Sequence, residues 1–282
     1  MTNKRTRKKE KKKMKKGDSL GNRMKRNYED VSKTKLLRRM PVIIRLDGKA
    51  FHTFTRGLRK PFDSILIKSM QDTMKYLCEN VQGCVLGYTQ SDEITLVLVD
   101  YKKLNSDAWF DYEVQKMVSI SASMATLAFN RAFQKHVNEY SEATFYLQDF
   151  DIDEEKRYSE TLTKCLEKGA MFDARCFNIP KEEVTNCLLW RQQDATRNSI
   201  QMVAQANFPH RQLQNKNCNE LQAMLFILKD INWNDLPTYQ RRGSCCVKDA
   251  ENFWTIDLDI PKFVNEDREY VDKLVFVGEE EE

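Results

Sequence analysis

Histidine is scarce, at three in 282 residues, and the eight cysteines form no CxxC pair. Tetrahedral zinc sites take Cys or His ligands paired at short spacing, so a structural zinc site is not expected. The cysteines are scattered at Cys78, Cys84, Cys165, Cys176, Cys187, Cys218, Cys245 and Cys246. That pattern reads as reduced, mostly buried thiols of a cytoplasmic protein, not as a disulfide framework. Long apolar runs are also missing, and none approaches a membrane span. No apolar segment follows the lysine-rich start, so a secretory leader is not expected either. I/L/V-type residues are few enough to hold the hydrophobic fraction at 41%, while 31% of residues are charged. The length still allows one large domain, or two small ones, with a substantial core.

What is there is charge, unevenly spread. Residues 1–40 carry 17 Lys and Arg against 4 Asp and Glu, which leaves 29 against 38 for residues 41–282. An acidic globular part therefore wears a basic arm. Such an arm is an electrostatic footprint for nucleic acid, and equally a solvated tail that aids solubility. Residues 1–17 are of low complexity and are expected to be disordered. A run of this kind also serves as a nuclear localisation signal. Residues 18–39 read as a polar, amphipathic approach segment.

Ordered structure is expected from a strand at 41–46. A loop follows, then a helix opening at Pro61 with Asp63 as its cap. Leu66, Met70, Met74, Leu77 and Val81 recur along one helical face. "GCVLGYTQSDEITLVLVD" reads as two strands about a tight turn. The stretch 112–133 is helical, with Val114, Met117, Ser121, Met124 and Ala128 along one side, and "MFDARCFNI" is strand-like. The order β-α-β-β-α-β predicts an α+β, ferredoxin-like palm with helices on one face of a sheet. Residues 18–180 would form this catalytic palm. Residues 181–282 would form a mainly helical C-terminal part packed on it, with helices over 181–207 and 219–229.

In this topology strand one ends beside the turn of the central hairpin. Asp47 would then lie near Asp92 and Glu93. Carboxylates at adjoining strand ends suit magnesium, a hard ion that takes oxygen ligands and leaves positions open for phosphate oxygens. Successive strand residues face opposite ways, so Asp92 is the expected ligand and Glu93 a supporting group. Gly48, without a Cβ, lets backbone approach a ligand, and its carbonyl is a further oxygen. An Asp-Gly pair after a strand is also an ordinary turn.

The residues "RLDGKAFHTFTRGLRKPFD" and "YTQSDEITLVL" together resemble the tRNA-histidine guanylyltransferase family. "FDAR" (172–175), "WRQQDATRNS" (190–199) and "INWNDLP" (231–237) extend the resemblance over roughly residues 18–245. The resemblance implies a polymerase-like palm that adds nucleotides to tRNA 5′ ends in the 3′-to-5′ direction. It implies two Mg2+ ions held by Asp47, Asp92 and the Gly48 carbonyl, with ATP and GTP or other nucleoside triphosphates as substrates. Asp47, Gly48, Lys49, Ala50, Phe51, His52, Ser91 and Asp92 would hold the nucleotide. Lys60 matches a lysine implicated in activating the tRNA end. Asp47, Asp92, Glu93 and Lys60 are then the catalytic candidates. No protein nucleophile is needed, and no convincing Ser/His/Asp or Cys/His set is present. A homotetramer is also implied.

The sequence departs from the family where tRNA is chosen. Thr196-Arg197-Asn198-Ser199 stands in place of His-Ile-Asn-Asn, Cys218 in place of a lysine, and Glu113 in place of a basic residue, with Lys116 retained. These changes resemble the bacterial and archaeal guanylyltransferase-like members, which are linked to templated repair of tRNA 5′ ends. Arg191, Asp194, Asn198, Gln201 and Gln205 form a polar helical stripe. Arg191 and Asn198, with the pair Arg241 and Arg242, are candidate RNA contacts. Trp190 and Phe208 could stack bases, though large aromatics more often pack in cores. Two other readings remain: a nucleotide cyclase-like palm, whose Gly-Gly hairpin turn "QSDE" does not match, and a non-catalytic RNA-binding protein.

Overall fold

The computed structural model describes residues 19–145 and 152–277. The expected basic tail, residues 1–17, lies outside them. A six-stranded antiparallel sheet organises the chain: β1 (Val42–Gly48), β2 (Cys84–Gln90), β3 (Glu93–Leu98), β4 (Phe172–Asn178), β5 (Ser244–Lys248) and β6 (Trp254–Asp257). The strand order is β4-β1-β3-β2-β5-β6. Its first four members are the ferredoxin-like sheet that the order of elements predicts.

Before β1, α1 (Ser19–Met24) runs on through π and 3-10 turns to Ser32 and buries nothing of its own. The segment expected as a loop after β1 contains a short helix, α2 (Phe51–Phe54). The palm's long helices are α3 (Ser64–Asn80) and α4 (Val114–Phe145). Alternation along β1 explains how they dock. Val42, Ile44 and Leu46 face them and share a core with Met70, Met74, Leu77, Met117 and Phe129. The buried line on α4 runs through Met117, Ser121, Ala125, Phe129 and Phe133. It drifts from the expected Met124 and Ala128 because 3.6 residues per turn shift a long helix's contact line. Gly87 on β2 admits α3 closely, since a Cβ there would lie 2.5 Å from the Cys78 sulfur.

Helices do not cover one face alone. Ile43, Val97 and Tyr88 point the other way, into a second core with Leu188 of α6 (Lys181–Asn207) and Val271 of α10 (Glu269–Val275). The reason is visible in β3, whose six residues are all buried. A strand buried on both faces needs cover on both. The C-terminal part also extends the sheet, because β5 pairs with β2. A third cluster joins Ile200, Val203 and Phe208 to Leu221 and Leu225 of α8 (Cys218–Lys229). The short helices α7 (His210–Leu213) and α9 (Thr238–Arg242) complete this region.

Asp63 caps α3 as expected, accepting from the Leu66 N–H at 3.0 Å. It also accepts from the Arg59 N–H at 3.1 Å and the Tyr158 hydroxyl at 2.6 Å. Tyr158 belongs to α5 (Ile152–Lys168), so one buried carboxylate ties three segments together. Asp63→Ala loses the cap and strands a buried hydroxyl, an expected cost of about 2–4 kcal/mol in urea denaturation. An unchanged midpoint would show the cap to be dispensable.

Candidate active site at the end of strands β1 and β3

The β1–β3 register places Asp47 directly across from Glu93. The Gly48 N–H then donates to the Asp92 carbonyl at 3.1 Å. The turn between β2 and β3 passes through Ser91, whose φ is +50°. That left-handed residue breaks the strand alternation, so Asp92 and Glu93 both sense the charge of Asp47.

The two acids differ in their surroundings. Burial, and then the neighbouring Asp47, push the half-buried Asp92 carboxyl above the usual carboxylate range. The Ser91 hydroxyl, donating at 3.0 Å, and the more distant His52 pull it back only in part. Glu93 is 8% exposed and meets a cation directly: Arg191 Nε lies 2.7 Å from its Oε1, and Arg45 Nε 3.8 Å. These three atoms are buried without an aligned hydrogen bond, so charge rather than directional bonding joins them. Asp47 and Asp92 are thus the pair of acids with no basic partner at hydrogen-bonding distance among the described residues.

That pair fits a magnesium ion. Two like charges share a partly buried strand end, and burial penalises the charged form of Asp92. Mg2+ is commonly held by one or two carboxylates, with waters and phosphate oxygens filling its other positions. Among the described residues no group of three or more His, Cys, Asp or Glu is placed to hold a metal by itself.

The neighbouring backbone is shaped for close approach. A Cβ on Gly48 would fall 2.2 Å from the Phe51 ring, so only glycine fits above that ring. Phe51 is fixed in turn by Phe54, Phe129 and Phe172 at 5.1–5.5 Å between ring centres. Ala50 adopts φ +54°, an uncommon conformation for a residue with a Cβ. It turns the chain into α2, where the Thr53 and Phe54 N–H groups donate to the Ala50 carbonyl. Lys49 and His52 are exposed beside this turn. Lys60 is exposed on the loop before α3, next to the Arg59–Asp63 anchor.

A cleft opens beside Gln90 and Ser91. Phe62 and Asp63, Asn198 of α6, and Tyr239 and Gln240 of α9 line it. Sequence reasoning missed Phe62, Tyr239 and Gln240. Their only signal is the aromatic after the Lys60-Pro61 pair and the Pro237 that starts α9.

The four candidate RNA contacts separate. Asn198 lines the cleft. Arg191, expected on a polar groove face, is 6% exposed and committed to Glu93 and to Asp194, 2.8 Å from its Nη2. It is buried because Glu93 is buried across from it, which a helical stripe alone does not reveal. Arg241 and Arg242 are half-buried, and each has a buried Nε without a hydrogen-bond partner. Burial and the adjacent Arg241 charge push the Arg242 guanidinium below its ordinary range. The expected departure at Ser199 is also explained, since its hydroxyl accepts from the Trp233 indole at 3.0 Å.

Known proteins resemble this chain in sequence and fold. A bacterial tRNA(His) guanylyltransferase-like protein, solved in complex with ATP, is 42% identical. The match covers 92% of this chain and 100% of that one, with a TM-score of 0.77. The probable tRNA(His) guanylyltransferase of Mus musculus is 26% identical over 234 residues, 78% of this chain and 69% of that protein. The tRNA(His) guanylyltransferase structure from Saccharomyces cerevisiae shares the fold at 21% identity, with a TM-score of 0.62 over 86% of this chain and 98% of that one. The family model for tRNAHis guanylyltransferase matches residues 21–180, more than half of the sequence, and so the chain belongs to the tRNAHis guanylyltransferase family.

Proposed function

We propose that this protein is a nucleotidyltransferase that adds nucleotides to tRNA 5′ ends in the 3′-to-5′ direction. The observation that carries the reading is the unpaired couple Asp47 and Asp92 at the end of β1 and β3. It stands on a palm of the right family and beside the cleft lined by Ser91 and Asn198.

The Asp47 and Asp92 carboxylates, with the Gly48 carbonyl, would hold Mg2+, two ions by family resemblance. Bound there, the metal supplies Lewis acidity that lowers the pKa of an attacking hydroxyl and offsets charge on the leaving group. Residues 50–52 would offer backbone N–H groups to a triphosphate, the Lys49 N–H being taken by the Met171 carbonyl at 2.8 Å, and Ser91 closes the same turn. Glu93, held by Arg45 and Arg191, stiffens the strand end that presents the ligands. Lys60, next to the Arg59–Asp63 anchor, would meet an activated 5′ phosphate. ATP serves the activation, and GTP or another nucleoside triphosphate supplies the incoming 3′-hydroxyl.

Templated repair of 5′ ends is favoured over addition of one guanosine to tRNAHis. The support is Thr196–Ser199, where Ser199 is engaged by Trp233 and is not free to read RNA. A homotetramer is part of the proposal, supported by exposed Ile120 and Leu127 on α4. A cytoplasmic setting accords with eight free cysteines, and no helix among the described residues is long and apolar enough to cross a membrane.

Two 5′-labelled substrates test the specificity, with magnesium, ATP and all four nucleotides present. One is tRNAHis lacking its extra 5′ guanosine; the other is a different tRNA shortened by one nucleotide at its 5′ end. Repair predicts extension of the shortened tRNA by the nucleotide complementary to the acceptor strand. Addition confined to tRNAHis would overturn it.

A further inference from the structure

Trp190 stands out on the surface of α6. Its side chain is 51% exposed and belongs to none of the three apolar clusters. The ring is nonetheless held. The Arg191 guanidinium lies 4.3 Å from its centre and that of Arg45 5.5 Å. Both arginines are anchored by Glu93, so the indole is oriented from below by the same acid that stands across from Asp47.

Arg45 and Asp47 lie on one face of β1, two residues apart. At about 3.4 Å per residue that separation is about 7 Å, close to the span from a nucleotide's 5′-phosphate to its base. Arg175, paired in register with Arg45, adds a half-exposed cation on the edge strand. An indole that packs no core and is oriented by two cations, one of them on the same face of β1 as Asp47, is suited to stack a base.

We infer that Trp190 is the stacking platform for the 5′-terminal base of the RNA being extended, with Arg45 fixing the ring. This rests on the proposed function. The incoming nucleotide lies on the other side, at residues 48–52 and the cleft beside Ser91. The platform acts through ring stacking, which every base permits, and so holds the RNA end without choosing its sequence.

The test uses a shortened tRNA whose 5′-terminal base is 2-aminopurine, which loses fluorescence when stacked. Binding to the wild-type protein and to Trp190→Phe is expected to quench it, and binding to Trp190→Leu is not. In extension assays Trp190→Leu is expected to raise the KM for RNA about 10-fold or more, with the KM for nucleotide unchanged. Trp190→Phe should stay within about 3-fold of wild type, since phenylalanine retains the stacking ring. Quenching that persists in Trp190→Leu, or a rise in the nucleotide KM instead, would overturn the inference. Wild-type protein that extends RNA without quenching would remove the inference alone. Wild-type protein that extends no RNA would remove the proposed function and the platform with it.

Discussion

Asp47→Ala and Asp92→Ala each lose nucleotide addition by about 10³-fold or more, while the folded protein is undiminished in stability. The activity loss follows from the share of charge stabilisation that a metal site supplies, several kcal/mol. The stability result follows from the site's electrostatics. Asp92 is pushed up by burial and by Asp47. A carboxyl raised in the folded state favours folding at low pH. That contribution is complete below the ordinary carboxylate pKa and is lost as pH rises through the raised value. At neutral pH the pair is therefore a liability, and removing one member relieves it. Asp92→Asn should melt at or above the wild-type temperature at pH 7.5. Mg2+ should raise the wild-type melting temperature there and leave that of Asp92→Asn unmoved. An Asp92 variant that unfolds at neutral pH would make the residue structural.

Arg191→Leu has the opposite signature, a large loss of stability. Glu93 and Arg191 are both more than nine-tenths buried and stand 2.7 Å apart. Removing the arginine leaves Glu93 with Arg45 alone, at 3.8 Å. An uncompensated buried charge costs about 3 kcal/mol or more. Burial already pushes the Glu93 carboxyl up, and Arg191 is the chief group pulling it down. Without Arg191 the carboxyl rises further, so the variant should regain stability as pH falls from 8 toward 5. Adding Glu93→Gln to Arg191→Leu should recover much of the loss at pH 8. Urea denaturation at both pH values measures this. A wild-type midpoint for Arg191→Leu at pH 8 would show the pair to be incidental.

Much of this arrangement was legible in the residues. The apolar run into Asp47-Gly48 and the hairpin at Ser91-Asp92-Glu93 fix a strand end and a turn, and the β-α-β-β-α-β order brings them together. The apolar spacing from Leu66 to Val81 and the cap at Asp63 define α3. Other features depend on tertiary partners. The layer of α6 and α10 on the second face was signalled only by Leu96-Val97-Leu98, apolar on both faces of β3, which does not name its cover. The burial of Arg191 needed its position across from Glu93. Helix α5 is highly charged with a narrow apolar stripe, and its Tyr158 gains meaning only against Asp63. The left-handed turn at Ser91 has no signature in a non-glycine residue.

The direction of growth is the central claim, and a blocked RNA tests it directly. A tRNA lacking its first nucleotide, with its 3′-terminal ribose oxidised, can lengthen only at the 5′ end. Incubation with the protein, Mg2+, ATP and nucleoside triphosphates is expected to give a product one nucleotide longer, abolished by Asp47→Ala. Extension of unblocked RNA together with none of the blocked RNA would contradict 3′-to-5′ addition.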